Sequence, residues 1–457
     1  MLLHRLHRRP VHKRRTRLQK RRNYWPLLLV PASLGMLVAV FFPTKRAFAP
    51  PIETPYTSLP QVPPIQSLDD LYQMRDRLQA ELRQPGSIPS LTSAGVFSTP
   101  TKTLQMLQAI EIRIGVEETA KENWNQAFQA SEQAQVLTQQ ANAAGDESEK
   151  TLGDIHAQWQ QAVNSLESVT PSSLLADDAK AKQAEYQTYL NHAAYNYDTA
   201  RSSFLEAIAE KTGLPIDSVH ITVCHLEGEC RRLNGGVPPA SPASLIKVPV
   251  AVALMEKIHA ENINLDNKIL VARGNYTEDA SDIWVGAEYP LRRILQRMIN
   301  QSSNIATNQL IEYVGRDRIN EIMSDRGFDI TRVNTKLVGE STYPANAGVG
   351  PNEISMDELT EMMRQIYQQQ HPGDEVLIDA MASQEDLVLG HDGLKPTSAI
   401  WLGEKTGQNS KVLGTTLAMK IAGETYVMSI SLDYSGNERA IRQCVRDVAN
   451  HIAKNGL

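Results

Sequence analysis

The stretch Ala243-Ser244-Leu245-Ile246-Lys247-Val248-Pro249 begins an apolar run that continues to Met255. Pro249 lacks a backbone donor, so it fits only near the start of a helix. Ser244 is therefore predicted at a helix N-terminus, where backbone amides and the helix dipole favour negative charge. Lys247 follows one turn later on the same face, within reach of the serine hydroxyl. A neutral lysine there can take the proton of a serine that attacks a carbonyl.

Two further short motifs follow along the chain. Ser302-Ser303-Asn304 begins 58 residues after Ser244, and Lys405-Thr406-Gly407 begins 103 residues after Ser302. A serine followed by a lysine at this spacing occurs by chance in a chain of this length, and alone it indicates a helix cap and a surface lysine. Three motifs in this order indicate a nucleophilic serine instead.

In order and spacing the three motifs resemble those of the penicillin-recognising serine enzymes, and most closely those of class A β-lactamases. The resemblance covers residues 198–457 and implies a catalytic domain of α/β (α+β) class. In that family an antiparallel sheet is flanked by helices, with an all-helical subdomain inserted. The periodicity alone predicts an α+β pattern, with helices over 197–211 and 438–453 and strands over 219–224, 415–421 and 425–432.

The resemblance also implies roles for individual residues. The residues that it makes catalytic are the nucleophile Ser244, its base Lys247, the proton donor Ser302 and the cation Lys405. The residues that it makes substrate-binding are Asn304, Thr406, Gly407 and Gln408, with the amides of Gln408 and Ser244 as an oxyanion hole. Asn308 matches a family asparagine that braces a neighbouring loop.

Three positions depart from the family pattern. Ser303 replaces the usual aspartate, from which we expect altered packing and intact chemistry. Glu340 corresponds to the loop glutamate that activates the deacylating water, but it is about one residue out of register, and Pro344 stands where asparagine is expected. Residues 414–417 provide no arginine to clamp a substrate carboxylate. The sequence therefore predicts acylation of Ser244 followed by weak hydrolysis.

The N-terminal segment predicts a membrane anchor. Residues 1–23 form a basic arm, with ten Lys and Arg and no acidic residue among the first 22. Residues 24–43 include an uncharged 19-residue run that is long enough to cross a bilayer. The cation excess before this run places the arm in the cytoplasm and the rest outside, in the periplasm or its equivalent. A cleaved signal peptide is the alternative, since Ala47-Phe48-Ala49 resembles a cleavage site, but Pro50 and the length of the run favour an anchor.

Two further segments precede the catalytic domain. Residues 44–66 form a proline-rich linker that would hold the folded part off the membrane. Residues 67–197 form a predicted all-α region without a catalytic or metal-binding pattern, which would serve as a spacer, a docking surface for a protein partner or a self-association element. Its predicted helices cover 67–84, 103–143, 147–168 and 174–192.

Composition narrows the range of partners. Outside the first 22 residues the chain has 36 basic and 52 acidic residues, a net charge of −16 that disfavours binding to nucleic acid. The eleven histidines show no metal-ligand spacing, so neither a metal nor another cofactor is predicted.

Cys224 and Cys230 flank a predicted turn, and export would permit a disulfide between them, but the sequence does not decide whether it forms. Cys444 is predicted to be a small buried hydrophobic residue.

These features predict a membrane-anchored, exported serine hydrolase of the class A β-lactamase type, which acylates its serine with a β-lactam and hydrolyses the ring. One alternative is a D-alanyl-D-alanine carboxypeptidase or other penicillin-binding protein that acts on a peptidyl-D-alanine and deacylates slowly. Another is a non-catalytic anchored receptor or scaffold, whose pocket only captures ligand.

Overall fold

The computed structural model describes residues 62–83, 99–279, 281–339 and 341–457. The predicted basic arm, the predicted membrane span at 24–43, most of the linker and Glu340 lie outside these described residues. Within the described ranges, no helix combines the length and the hydrophobicity that a membrane crossing requires. The membrane anchor therefore stays a prediction.

The region before the catalytic domain is all-α where it is described, as predicted. Its helices pack along small alanine side chains, with Trp159 buried among them. The break between the second and third helices falls at Gly145, whose φ of 62° is left-handed, and Ser148 caps the third helix by accepting the Thr151 amide. The four helices are α1 (Leu68–Arg83), α2 (Thr99–Ala144), α3 (Glu149–Glu167) and α4 (Ala176–Ala200).

A five-stranded antiparallel sheet forms the centre of the domain that follows the helical region. Its strands are β1 (Val219–His225), β2 (Cys230–Leu233), β5 (Ile400–Gln408), β6 (Val412–Ile421) and β7 (Glu424–Asp433). The strand order is β2-β1-β7-β6-β5, so β2 and β5 are the two edges. A separate two-stranded ribbon consists of β3 (Lys268–Leu270) and β4 (Glu288–Pro290). The three strands predicted from the sequence are confirmed.

Helices cover both faces of the sheet, which confirms the predicted fold class. One face packs against α5 (Ser203–Glu210) and the C-terminal α13 (Glu438–Asn455), through residues such as Leu205 and Ile441. The other face joins the larger core of the helical subdomain. The remaining helices are α6 (Lys247–Ala260), α7 (Leu291–Asn300), α8 (Asn304–Val314), α9 (Arg316–Asp325), α10 (Met356–Tyr367), α11 (Asp374–Ala382) and α12 (Gly390–Leu394).

The predicted helix over 197–211 is helical over most of its length, but it is divided in two because the chain turns at Arg201-Ser202 between α4 and α5. The end of α4 is bound to the sheet instead. Asp198 is only 7% exposed, accepts the backbone N–H of Cys230 at 3.1 Å and pairs with Arg232 at 3.0 Å. Helix α4 therefore crosses the predicted boundary at residue 198 and fastens the helical region to edge strand β2.

The structure decides the question of the disulfide. Cys224 and Cys230 are directly opposite one another in the β1–β2 hairpin and are bonded. The hairpin closes through a hydrogen bond from the His225 amide to the Glu229 carbonyl at 3.0 Å. Cys444 is unpaired and buried, as predicted, and burial raises the pKa of its thiol to about 12.

Candidate active site

Ser244 lies in a single 3₁₀ turn, Ala243–Ile246, that leads directly into α6. The predicted helix start is thus confirmed, with a tighter first turn than a regular α-helix. Ala243 has a φ of 45°, in the left-handed region that non-glycine residues rarely adopt. Such a local cost persists only where the surrounding structure enforces it, and it is common at functional sites.

The side chain of Lys247 connects the first two motifs. It is fully buried, and its amine lies 3.0 Å from Ser244 Oγ, 3.0 Å from Ser302 Oγ and 2.9 Å from Asn304 Oδ1. It also donates to the Ser302 carbonyl. Burial, together with the nearby Lys405 cation, lowers the pKa of Lys247 well below its usual value, against an opposing effect of Asp279. A neutral amine in this position can accept a proton from either serine.

Ser302 is held in an uncommon backbone conformation between two amines. Its φ is 55°, and its hydroxyl lies 3.0 Å from Lys247 Nζ and 3.0 Å from Lys405 Nζ. The structure therefore brings together all four residues that the sequence predicts to be catalytic among those described. Ser302 Oγ therefore lies within hydrogen-bond distance of the lysines of both the first and the third motif.

The third motif lies on edge strand β5, as predicted. Lys405 is fully buried, and burial lowers its pKa to about 8, while the Asp386 carboxylate acts in the opposite direction. It thus remains mostly protonated at neutral pH and also donates to the Thr406 carbonyl at 2.6 Å. Thr406 donates its hydroxyl proton to Asp386 at 2.8 Å.

Gly407 is required by the close approach of β5 to the Ser244 turn. A Cβ atom at this position would lie 3.0 Å from the Leu245 nitrogen and 3.2 Å from the Ser244 nitrogen. Those contacts are too tight for most side chains. Gln408 follows as the last residue of β5, so the strand end lies against the nucleophile turn. Its place in an oxyanion hole with the Ser244 amide stays a prediction.

The second motif has Ser303 where the family has an aspartate, and the carboxylate of Asp279 lies beside it. Ser303 caps α8 by accepting the Ala306 amide at 3.1 Å, and its hydroxyl donates to the Asp279 carboxylate. The same carboxylate accepts the Ile305 amide at 3.0 Å. Whether this packing differs from that around the family aspartate stays a prediction. Sequence reasoning missed Asp279, because an isolated acidic residue in a loop carries no periodic or spacing signal.

Asn308 braces the following loop, as the resemblance implies. Its side-chain amide donates to the Leu337 carbonyl at 2.9 Å, and its oxygen accepts the Leu337 amide at 2.7 Å. Further along, Ser341 and Thr342 donate their hydroxyls to Glu278 at 2.7 and 2.9 Å, which lowers the pKa of Glu278 to about 2. Glu278 was also missed. The intervening Glu340 lies outside the described residues, so its role stays a prediction.

Strand β6 places no arginine beside the third motif. Thr406 pairs with Thr415, and Gly407 pairs with Gly414. Among the described residues there is also no cluster of three or more His, Cys, Asp or Glu side chains that could bind a metal ion.

A family model described as the Beta-lactamase enzyme family matches residues 221–455, just over half of the chain. The chain belongs to the β-lactamase enzyme family. No curated protein matches this family member in sequence.

Three solved structures are similar to about half of this chain. Penicillin-binding protein PBP-A is 22% identical over 55% of this chain and 97% of its own, with a TM-score of 0.49. A β-lactamase from Sphaerobacter thermophilus is 21% identical over 54% of this chain and 95% of its own, with a TM-score of 0.47. The TLA-3 extended-spectrum β-lactamase is 16% identical over 55% of this chain and 100% of its own, with a TM-score of 0.48.

In this member of the β-lactamase family, a buried acid precedes the third motif. Glu404 is fully buried, and its Oε2 accepts the His391 amide at 3.2 Å and the Thr415 hydroxyl at 3.3 Å. No described residue contributes a hydrogen bond to its other oxygen. Burial raises the pKa of Glu404 to about 8, so this side chain is mostly protonated at neutral pH.

We expect Glu404→Gln to change how stability depends on pH. The Glu404 carboxyl has an ordinary pKa of 4.5 and a pKa of about 8 in the folded protein. At pH values between these two, the folded protein retains a proton on Glu404 that the unfolded chain has lost. Stability that depends on this proton therefore falls as pH rises through that window, by up to about 4 kcal/mol. The neutral glutamine should remove this loss, so the free energy of unfolding of the variant should rise relative to that of the parent between pH 5 and pH 8.

Denaturant unfolding at several pH values measures this difference. Asp317→Asn, which removes an exposed carboxylate on α9, is the control and should show no such trend. A constant difference between parent and Glu404→Gln from pH 5 to pH 8 would contradict the assignment of a protonated Glu404.

Proposed function

We propose that the protein is an exported serine hydrolase that forms an acyl-enzyme at Ser244 with β-lactams. The observation that carries this proposal is the Lys247 amine, which lies 3.0 Å from each of two hydroxyls, Ser244 Oγ and Ser302 Oγ. One amine between two hydroxyls provides both a base for the attack and a route for the proton to the leaving group. Membership of the β-lactamase enzyme family supports the choice of substrate.

Acylation proceeds from these contacts. The neutral Lys247 amine takes the Ser244 proton as Oγ attacks the lactam carbonyl, and backbone amides stabilise the oxyanion. The ring C–N bond then breaks, and its electron pair stays on nitrogen. Ser302 gives its proton to that nitrogen and is reprotonated by Lys247, which lies 3.0 Å away. Lys405 keeps a positive charge beside Ser302 Oγ while the proton moves.

Ser244→Ala should abolish covalent labelling by a fluorescent penicillin, because the attacking oxygen is removed. Labelling is measured by gel fluorescence and by the mass of the intact protein. The control is Ser324→Ala, an exposed serine near the end of α9, which should label like the parent. Equal labelling of Ser244→Ala in a folded protein would show that another residue is the nucleophile.

One alternative is favoured by the loop after Asn308. Glu340 is out of register with the family glutamate, and Pro344 replaces an asparagine. Deacylation needs a base within hydrogen-bond reach of a water above the acyl carbonyl. If Glu340 is not that base, the protein is a penicillin-binding hydrolase, such as a D-alanyl-D-alanine carboxypeptidase, that captures β-lactams more readily than it hydrolyses them.

We expect the parent to acylate readily and to deacylate slowly, and we expect Glu340→Gln to change the deacylation rate by less than tenfold. General-base catalysis is worth about 10²–10⁴-fold, so a working base would be obvious in this variant. The half-life of the acyl-enzyme, measured by mass spectrometry after removal of free penicillin, makes the comparison. Fast turnover in the parent that collapses several hundredfold in the variant would identify Glu340 as the base.

For location, we propose a single-pass protein of the inner or plasma membrane, with the catalytic domain outside the cytoplasm. The uncharged run within 24–43 and the cations before it support this topology. We expect the intact chain to remain in the membrane fraction after a high-salt wash and its bulk to be digested by external protease. A soluble mature chain that begins near Pro50 would instead support the cleaved signal peptide.

We also propose that the helical region is a spacer that docks a protein partner. A cavity of about 740 Å³ between α2, α3 and α4 supports this role. Its wall includes Trp159 and Tyr189, whose rings stack 4.8 Å apart, together with amide side chains such as Gln139 and Asn196.

A further inference from the structure

Asp386 changes the hydrogen-bonding character of the third motif. A threonine hydroxyl has one proton to donate and lone pairs with which to accept. Thr406 gives that proton to Asp386 Oδ2 at 2.8 Å. Its oxygen then faces other groups as an acceptor. A substrate carboxylate, which can only accept, would have to compete with Asp386 for the Thr406 proton.

The charges around Thr406 also disfavour a substrate carboxylate. The Lys405 ammonium is already engaged by Ser302 Oγ at 3.0 Å and by the Thr406 carbonyl at 2.6 Å. Asp386 is the nearby anion that acts most strongly on Lys405. Strand β6 adds no arginine opposite the motif, since Thr406 and Gly407 pair with Thr415 and Gly414. A second carboxylate bound to Thr406 would therefore lie close to the negative charge of Asp386, which is an exposed side chain beside the motif, and like charges that lie close together repel.

We propose that Asp386 makes this site select against acyl donors with a free carboxylate next to the scissile bond, and in favour of donors with an amide N–H there. Thr406 Oγ1 and the Asp386 carboxylate are both acceptors for such an N–H group. The favoured substrate class is an acyl donor that ends in an amide or continues as a peptide, and the substrate of a D-alanyl-D-alanine carboxypeptidase, which ends in a free carboxylate, is disfavoured. This specificity rests on the proposed acylation of Ser244.

Two penicillins that differ at one group test this specificity. Benzylpenicillin and its carboxamide share the ring and the acyl side chain, and differ only in the carboxylate. The measurement is the second-order rate constant of acyl-enzyme formation with each compound, followed by intact-protein mass on the full chain. The ratio of the two constants is insensitive to a general loss of active protein.

We expect the parent to react with the carboxamide at least as fast as with benzylpenicillin. Asp386→Ala frees the Thr406 proton and removes the charge, so the ratio should shift toward benzylpenicillin by about tenfold to a hundredfold. Asp386→Asn removes the charge but retains an oxygen that can accept from Thr406, so a smaller shift in the same direction is expected. It also serves as the test if the alanine variant does not fold. Asp317→Asn, the exposed charge control on α9, should leave the ratio unchanged.

Two results would overturn the specificity and identify which step failed. If the parent prefers benzylpenicillin by tenfold or more and the Asp386 variants leave that ratio unchanged, Ser244 is acylated but Asp386 does not select. If neither compound acylates the folded parent, the proposed acylation itself is wrong and the selection fails with it.

Discussion

The arrangement of the site depends on the contacts of the buried Lys247 amine with Ser244, Ser302 and Asn304. Its side chain is fully buried, and burying a charged ammonium costs several kcal/mol unless it is well paired. The surrounding groups are hydroxyl, amide and carbonyl oxygens from two motifs, which can accept from a neutral amine without holding it charged. The burial that lowers the pKa of the amine is thus the same packing that joins α6 to the start of α8. Stability and chemistry in this site rest on one set of contacts.

Four acidic residues from outside the three motifs lie around the site. Asp279 bonds Ser303 and the α8 N-terminus, and Glu278 holds the hydroxyls of the neighbouring loop. Asp386 takes the Thr406 proton, whereas Glu404 is buried and mostly protonated at neutral pH. The motif residues are therefore only the inner part of the site. Burial sets the direction of the pKa shifts of Lys247 and Lys405, whereas Asp279 and Asp386 fix the direction of the Ser303 and Thr406 hydrogen bonds.

The sequence predicted the parts of the fold that have a local signal. The strands over 219–224, 415–421 and 425–432 follow from short apolar runs, and the motif residues come together because three spacings coincide. The break at 201–202 in the predicted helix over 197–211 was missed; there the Ser202 hydroxyl accepts the Arg232 amide, a tertiary contact that local propensity does not contain. Asp279 and Asp386 were missed for a similar reason, since each meets its motif only through folding. The sequence did not decide whether Cys224 and Cys230 form a disulfide, because their pairing depends on the hairpin register, which the apolar pattern there does not fix.

The attachment of α4 to the sheet has a consequence for how the chain could evolve. Asp198 binds β2, which is one edge of the sheet, whereas Lys405 and Thr406 lie on β5 at the opposite edge. Strands β1, β7 and β6 separate the two. A change in the length of the helical region would therefore act first on β2, and none of the Asp198 contacts involves a residue of the three motifs. In this architecture three strands of the sheet separate the attachment point of the helical region from the lysine and threonine of the third motif.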